Sequence, residues 1–522
     1  MEDQKGHILW VDDEIDILRS HIRFLKERGY VVDTASNGED AVSLVRQGGI
    51  DLIFLDEMMP GMGGLETLGE IKELRPNLPV VMVTKSEEES LMEDAIGSKI
   101  SDYLIKPVNP SQVLAACKKF LETRSIRGAA VSKDYIQEFN QITAALGTEP
   151  GFEEWTDIYG RLVNWSMELD DHAELGLRQT LLDQIRDCNL AFGRYVEKNY
   201  HDWLEQKNRR PVLSPEVVDD YVIPELQDGR SVIFFVIDCL RLDQWLMMEE
   251  ALLEYYDITK QFYFSILPTA TPYSRNAIFS GSYPSDLELR FPELWELSED
   301  DENSRNRYER QFLDKLLERR RIVLKPEAKY IKILDAEFGR SVENNITSYA
   351  QSKLTSIVVN FVDMLAHGRS DSSLLKEIAP DEPAYRSLTK SWFLHSSLFG
   401  MLKALSRMPN VTIVLTTDHG SIRSLRGAKV LGDREASTNL RYKYGRNLKC
   451  DEKSAIYVKN PLDFKLPKRG VTTNYIIAKE DYYFVYPTDY HKYLNYYRDS
   501  FQHGGVSMEE MILPVARLTP KG

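Results

Sequence analysis

The sequence predicts an α/β chain in three parts: a doubly wound five-stranded sheet over residues 1–122, a helical connector or bundle over 123–213, and a larger α/β region over 214–522. Three features point to it. Short apolar runs alternate with amphipathic stretches at both ends of the chain, strand-like runs vanish between them, and the proline-bearing RRPVLSPEVVDDYVIPEL marks a boundary. At 522 residues and about 150 residues per domain, several cores are expected rather than one.

In the first part, HILWV, YVVDT, DLIFL, PVVMV and DYLI are strand-length apolar runs separated by helix-type segments, the pattern of a parallel sheet. In the second, GFEEWTDIYGRLVNWSMEL and LRQTLLDQIRDCNLAFGRYVEKNYHDWLEQ carry apolar residues at three- and four-residue spacing, the helical period. From about Arg230, SVIFFVID, TSIVVNFVD and VTIVLTTD resume the βα alternation, and each run closes on an aspartate. The charge-dense SEDDENSRNRYERQFLDKLLERRR, within 285–330, reads as a helical insertion on a solvated face. Neither a GxxxxGK[ST] phosphate loop nor a complete GxGxxG fingerprint occurs.

Composition narrows the function classes. Hydrophobic residues at 43% and charged residues at 28% describe a globular chain. Asp plus Glu number 81 against 65 Lys plus Arg, a net charge of −16 that opposes non-specific attraction to nucleic acid or anionic lipid. No basic recognition helix is visible, so direct transcriptional regulation is poorly supported. Cys117, Cys188, Cys239 and Cys450 lack disulfide-framework or zinc-finger spacing, which suits a reducing compartment. No apolar run approaches the length of a membrane span and MEDQKGHILW lacks a signal-peptide layout, so a cytoplasmic protein is expected.

Asp12 and Asp13 follow the first apolar run, Asp56 ends the third, Thr84 ends the fourth and Lys106 follows the fifth. In a parallel sheet these ends share the edge where ligands bind. Three acids together call for a divalent cation, and oxygen-only donors point to Mg²⁺. A carboxylate beside a cation and a lysine can accept a phosphoryl group. With MMPGMGG after Asp56 and KPV at Lys106, the arrangement resembles the receiver domain of bacterial response regulators. That resemblance implies Asp56 as phosphoacceptor and a Mg²⁺ site of Asp12, Asp13, Asp56 and the Met58 carbonyl. It further implies Lys106 on the phosphoryl group, Thr84 and Tyr103 as the switch, a sensor histidine kinase as partner, and homodimerisation on phosphorylation.

The C-terminal region holds a second constellation: Asp238, Thr271, Asp363, His367, Asp418, His419 and His503. Asp363 and His367 are four apart, so a helix starting there puts both on one face. Mixed carboxylate and imidazole donors suit Zn²⁺ or Mn²⁺. The other histidines, at 7, 21, 172, 201, 395 and 491, lack such a setting. Thr271 precedes Pro272 at an expected helix start, where a hydroxyl can cap the helix or, beside metal ligands, act as a nucleophile.

The set resembles the alkaline phosphatase superfamily, and more closely its PglZ branch, of which HGGVSMEEMILP is a marker. The resemblance implies one Zn²⁺ (or Mn²⁺) on Asp363, His367 and His503, a second on Asp238, Asp418 and His419, and Thr271 as the bridging nucleophile. Asn360 and Arg275 are expected either on non-bridging phosphate oxygens or in structural hydrogen bonds, and the basic RGAKVLGDREASTNLRYKYGRNLK reads as a solvated loop or a lid that attracts an anionic substrate. Over its full length the chain resembles the PorX-type response regulators of type IX secretion. The expected output is a phosphodiesterase or phosphatase acting on small nucleotide phosphodiesters, cyclic or oligonucleotide, with a secretion-system or sigma-factor partner. The alternative is a phosphorylation-controlled scaffold with structural zinc and little turnover.

Overall fold

β1 (His7–Val11), β2 (Val31–Ala35), β3 (Leu52–Asp56), β4 (Val80–Thr84) and β5 (Asp102–Ile105) form one sheet in the order β2-β1-β3-β4-β5. Every pairing is parallel. The computed structural model describes residues 5–76, 78–85, 100–172, 175–206, 209–295, 306–433, 437, 439–468 and 472–521. It divides into two units, Met1–Glu138 and Phe139–Gly522.

The first unit is covered on both faces because its strands are apolar at successive positions, not alternate ones. Leu9, Val11, Ile53 and Leu55 face one side with Ala41 and Val45 of helix Gly38–Gln47 and Leu68 and Ile71 of helix Gly64–Leu74. Ile8, Trp10, Leu52 and Phe54 face the other with Leu25 of helix Arg19–Lys26 and Val113 and Cys117 of helix Pro110–Cys117. The strand order turns back between β1 and β3, which opens a crevice at their carboxyl ends.

Helix Thr123–Leu146 runs across the division, and helices Phe152–Asp171 and Arg178–Glu205 lie within the second unit. The last of these is integral to that unit's core: Phe192 and Trp203 place their rings 6.1 Å and 5.8 Å from Phe264. Main-sheet strands are β6 (Ser231–Ile237), β7 (Tyr256–Phe264), β8 (Lys329–Ile333), β9 (Leu354–Val359) and β10 (Val411–Thr416). Beyond them come β11 (Ile422–Ser424), β12 (Arg426–Lys429), β13 (Tyr442–Gly445), β14 (Ala455–Val458), β15 (Asn474–Ala478), β16 (Tyr482–Val485) and β17 (Ser500–Gln502), and β18 (Ile512–Pro520) rejoins the main sheet. Its order is β7-β18-β10-β6-β9-β8, while β11 pairs with β17, β12 with β16, and β13-β15-β14 form a small sheet. β6, β8, β9 and β10 are parallel, β18 is antiparallel to β10, and β7 is antiparallel to β18. β7 therefore runs with β10, and the carboxyl ends of β6, β7, β9 and β10 meet the start of β18 along one edge.

Two expectations are corrected. Part of the charge-dense insertion, residues 296–305, lies outside the described residues. The remainder carries helix Glu309–Arg319, whose Phe312, Leu313, Leu316 and Leu317 are buried with Ile278 and Phe279. Four apolar residues spaced along one face outweigh the surrounding charge. The basic stretch 426–449, apart from residues 434–436 and 438, which are outside the described ones, is tied down by a strand at its start and another near its end: β12 pairs with β16 and β13 with β15.

Candidate functional site

In the first unit the ends of β1 and β3 bring Asp12, Asp13 and Asp56 together, with oxygens within 4.8 Å of one another. Lys106, just past β5, sets Nζ 2.9 Å from Asp12 Oδ2 and 2.9 Å from Asp56 Oδ2. Burial raises the Asp56 pKa, and the Asp12 and Asp13 charges add to this against the Lys106 hydrogen bond. Burial works against the Lys106 charge, but its bonds to Asp12 and Asp56 lift its pKa overall. Three carboxylates against one ammonium leave surplus negative charge and an all-oxygen donor set, which fits Mg²⁺. The Thr84 hydroxyl donates to Glu57 Oε2, and Tyr103 is 40% exposed. The Met58 side chain is exposed, which leaves its carbonyl for any part in the site. MMPGMGG has a steric reason as well: a Cβ on Gly64 would lie 2.3 Å from the Asp56 carbonyl oxygen.

In the second unit all seven expected residues gather at the shared sheet edge. Asp238 follows β6, Thr271 follows β7, Asp363 and His367 share one face of helix Phe361–Asp371 after β9, Asp418 and His419 follow β10, and His503 lies between β17 and β18. Asp363, His367 and His503 bring donor atoms within 4.8 Å of one another, as do Asp238, Asp418 and His419. The triads abut, since the His419 and His503 rings stack at 4.2 Å. Thr271 Oγ1 is 2.9 Å from His419 Nε2 and 3.4 Å from Asp238 Oδ1. Ala270 occupies the N-cap of helix Thr271–Ser280 with no side-chain cap, so the hydroxyl does not serve as the cap. It is directed at the acids and imidazole.

His419 Nδ1 lies 3.1 Å from the Gly420 carbonyl, which as acceptor places the proton on Nδ1 and leaves the Nε2 lone pair for Thr271 or a cation. Burial, reinforced by Asp418 and Asp363, pushes Asp238 up to about 7 against the opposing Arg275 charge. Burial likewise raises Asp418. Burial would raise Asp363 too, but the adjoining imidazoles of His367 and His503 hold it below the usual carboxylate range. Asp418 Oδ2 is buried without a hydrogen-bond partner, a deficit of about 1–3 kcal/mol that a cation would relieve. The donors thus fit a pair of divalent cations of the zinc type.

The marker around His503 is explained by its neighbours. Gly504 takes φ +113°, and a Cβ on Gly505 would meet Arg441 Nη2 at 2.2 Å. Buried Glu510 accepts from Arg441, from the Gly505 amide at 2.8 Å and from the Ser507 hydroxyl at 2.8 Å. Thr269 Oγ1 donates to the Gly505 carbonyl at 2.7 Å and accepts from the Gly504 amide at 3.1 Å, which ties the Thr271 loop to the His503 loop. Gly420 leaves no room either, as a Cβ would lie 1.9 Å from the Glu509 carbonyl oxygen. Gly420→Ala is expected to cost about 2–3 kcal/mol, read as a lower denaturation midpoint.

Of its two expected roles Arg275 takes the structural one here. It is 1% exposed, with Nη1 donating to Asp238 Oδ2 at 2.6 Å and Nε to Glu309 Oε1 at 2.5 Å. Carboxylates, not an open cleft, take its donors. Asn360 lies at the N-cap of the Asp363 helix on the active edge, and its Oδ1 is buried without a hydrogen-bond partner. Glu309 and Asn306, which line the site's back wall, escaped the sequence reading. Glu309 stands in a run of acids and bases where nothing local separates it from solvated neighbours.

Comparison with known proteins agrees with this layout. Three family models match: the response regulator receiver domain over residues 8–118, the PorX response regulator linker domain over 125–204, and the BREX system PglZ alkaline phosphatase-like domain over 217–518. Among curated proteins, the alginate biosynthesis transcriptional regulatory protein AlgB of Pseudomonas putida is 38% identical over 125 residues, 24% of this chain and 28% of that protein. The transcriptional regulatory protein ResD of Bacillus subtilis is 36% identical over 118 residues, 23% of this chain and 49% of that protein. The chain thus spans less than half the length of these relatives. Among solved structures, the chemotaxis protein CheY4 of Vibrio cholerae matches at 27% identity and a TM-score of 0.22, covering 22% of this chain and 98% of that one. A two-component response regulator from Clostridium difficile matches at 31% identity and a TM-score of 0.22, over 22% and 96%.

Proposed function

Because the chain belongs to the PorX-type response regulators, in which a receiver and a PorX linker precede a PglZ alkaline phosphatase-like domain, we propose that phosphorylation of Asp56 governs a zinc-dependent phosphodiesterase or phosphatase centred on Thr271. The observation that carries this is the Thr271 hydroxyl set against Asp238 and His419 of one triad of metal-type donors, which abuts a second such triad through the stacked His419 and His503 rings.

Zn²⁺ ions held by Asp238, Asp418 and His419 and by Asp363, His367 and His503 would lower the Thr271 hydroxyl pKa and draw charge from the attacking and leaving oxygens. Thr271 gives its hydroxyl proton to water as Oγ1 attacks phosphorus in line, the leaving oxygen departs on the far side and takes a proton from water to become the alcohol, and a second water then attacks phosphorus, breaking the Oγ1–P bond and returning a proton to Thr271. In this structure the hydroxyl rests against His419 Nε2 and Asp238 Oδ1, atoms that would turn to the cation when one is bound. The amino end of helix Thr271–Ser280 adds the positive end of its dipole beneath the phosphate.

Small nucleotide phosphodiesters, cyclic or oligomeric, are the proposed substrates, because a threonine nucleophile resembles the diesterase side of the superfamily. With Zn²⁺, the full-length protein should cleave bis-p-nitrophenyl phosphate with a higher kcat/KM than the monoester. The opposite ranking would end the preference for diesters.

The receiver implies a sensor histidine kinase as partner. The proposed role is control of type IX secretion from the cytoplasm, through a secretion-system or sigma-factor partner; it rests on the PorX-type resemblance, which the linker match supports. Among the described residues no helix is long and apolar enough to cross a membrane.

A further inference from the structure

Glu309 has no part in the chemistry above, yet it is 0% exposed and saturated with contacts. Its Oε1 accepts from Arg275 Nε at 2.5 Å and Asn306 Nδ2 at 2.8 Å, its Oε2 accepts from the Tyr330 hydroxyl, and Lys332 Nζ stands 3.9 Å from that second oxygen. Arg275 turns its other end to the triad, 2.6 Å from Asp238 Oδ2 and 3.7 Å from Asp418 Oδ2. A guanidinium is always charged, so an arginine touching two of three donors competes with a cation for the same oxygens. In a buried setting that competition is weakly screened. Glu309 supplies the opposing charge on the far side of Arg275.

We propose that Glu309 is a positioning residue of the Asp238, Asp418 and His419 triad: by neutralising Arg275 it lets that arginine orient the Asp238 carboxylate without excluding a divalent cation. The inference rests on the metal reading of this triad. Arg275 occupies Asp238 Oδ2 and leaves Oδ1, 3.4 Å from Thr271 Oγ1, turned toward the reacting hydroxyl. The buried Asp418 Oδ2, without a hydrogen-bond partner, is the other oxygen that a cation would claim.

The test titrates metal-free, full-length protein with Zn²⁺ against a competing chelator, with His419→Ala identifying the binding step that belongs to this triad. Glu309→Gln preserves shape and an acceptor for Arg275 but removes the charge. It should weaken that step by about tenfold or more and leave the Asp363, His367 and His503 step in place. The pair Arg275→Met with Glu309→Gln removes both charges and should regain most of the lost affinity. Wild-type binding by Glu309→Gln, or a pair no better than the single variant, would overturn the proposal, since a purely structural glutamate gives no such recovery. Should Glu309→Gln fail to fold, the pair decides alone: zinc affinity tenfold or more below wild type is the overturning result. If the wild type shows no His419-dependent step at all, the metal reading falls and this inference with it.

Discussion

Thr271→Ala is expected to lower kcat for phosphodiester cleavage by roughly a thousandfold or more, because it deletes the atom that bonds to phosphorus. Metal content and denaturation midpoint should stay near wild type. The hydroxyl contacts His419 and Asp238 and caps no helix, so its loss removes no capping energy and no metal donor of either triad. Thr271→Ser keeps the oxygen and should retain measurable turnover. Steady-state rates on bis-p-nitrophenyl phosphate, with zinc counted by elemental analysis, check wild type and both variants. Turnover within tenfold of wild type in the alanine variant would remove Thr271 from the chemistry and favour a phosphorylation-controlled scaffold in which zinc is structural.

Asp56→Asn should take up no phosphoryl group from a small phosphodonor and show no response to beryllofluoride with Mg²⁺. The carboxylate is both the acceptor and one of the three acids that balance Lys106. In the wild type the phosphoryl group brings about −1.5 to −2 charges and three acceptor oxygens to the Lys106 ammonium. The Thr84 hydroxyl, now donating to Glu57, would exchange that partner for a phosphoryl oxygen, and the surface bearing Tyr103 would reorganise. Sedimentation of wild type and variant, with and without beryllofluoride, reads the consequence: the wild type should double in mass and the variant should not. An unchanged wild-type mass would take dimerisation out of the mechanism.

Much of the site was legible because strand ends announce themselves. An apolar run that stops on Asp238, Asp56 or Asp418 marks where a buried strand meets a ligand edge, and the four-residue step from Asp363 to His367 is a helical face. Glu309 was hidden for the converse reason. Its helix buries Phe312, Leu313, Leu316 and Leu317, a periodicity present in the chain but masked by the density of charges around it. Arg275 was legible as a residue of the site but not in its role, since a guanidinium serves phosphate and carboxylate with the same fork geometry.

By itself the sequence determined the donor chemistry: which residues can hold a cation, accept a phosphoryl group or attack one, properties of side chains that hold wherever they lie. Family resemblance implied how they group, and only the tertiary structure decided what physically brings each group to one centre. That gathering comes from strand direction: β18 runs against β10 and β7 against β18, so the end of β7 and the start of β18 fall on the same edge as the ends of β6, β9 and β10. Thr271 and His503 thereby join aspartates distant in the chain, through backbone hydrogen bonding that no local pattern records.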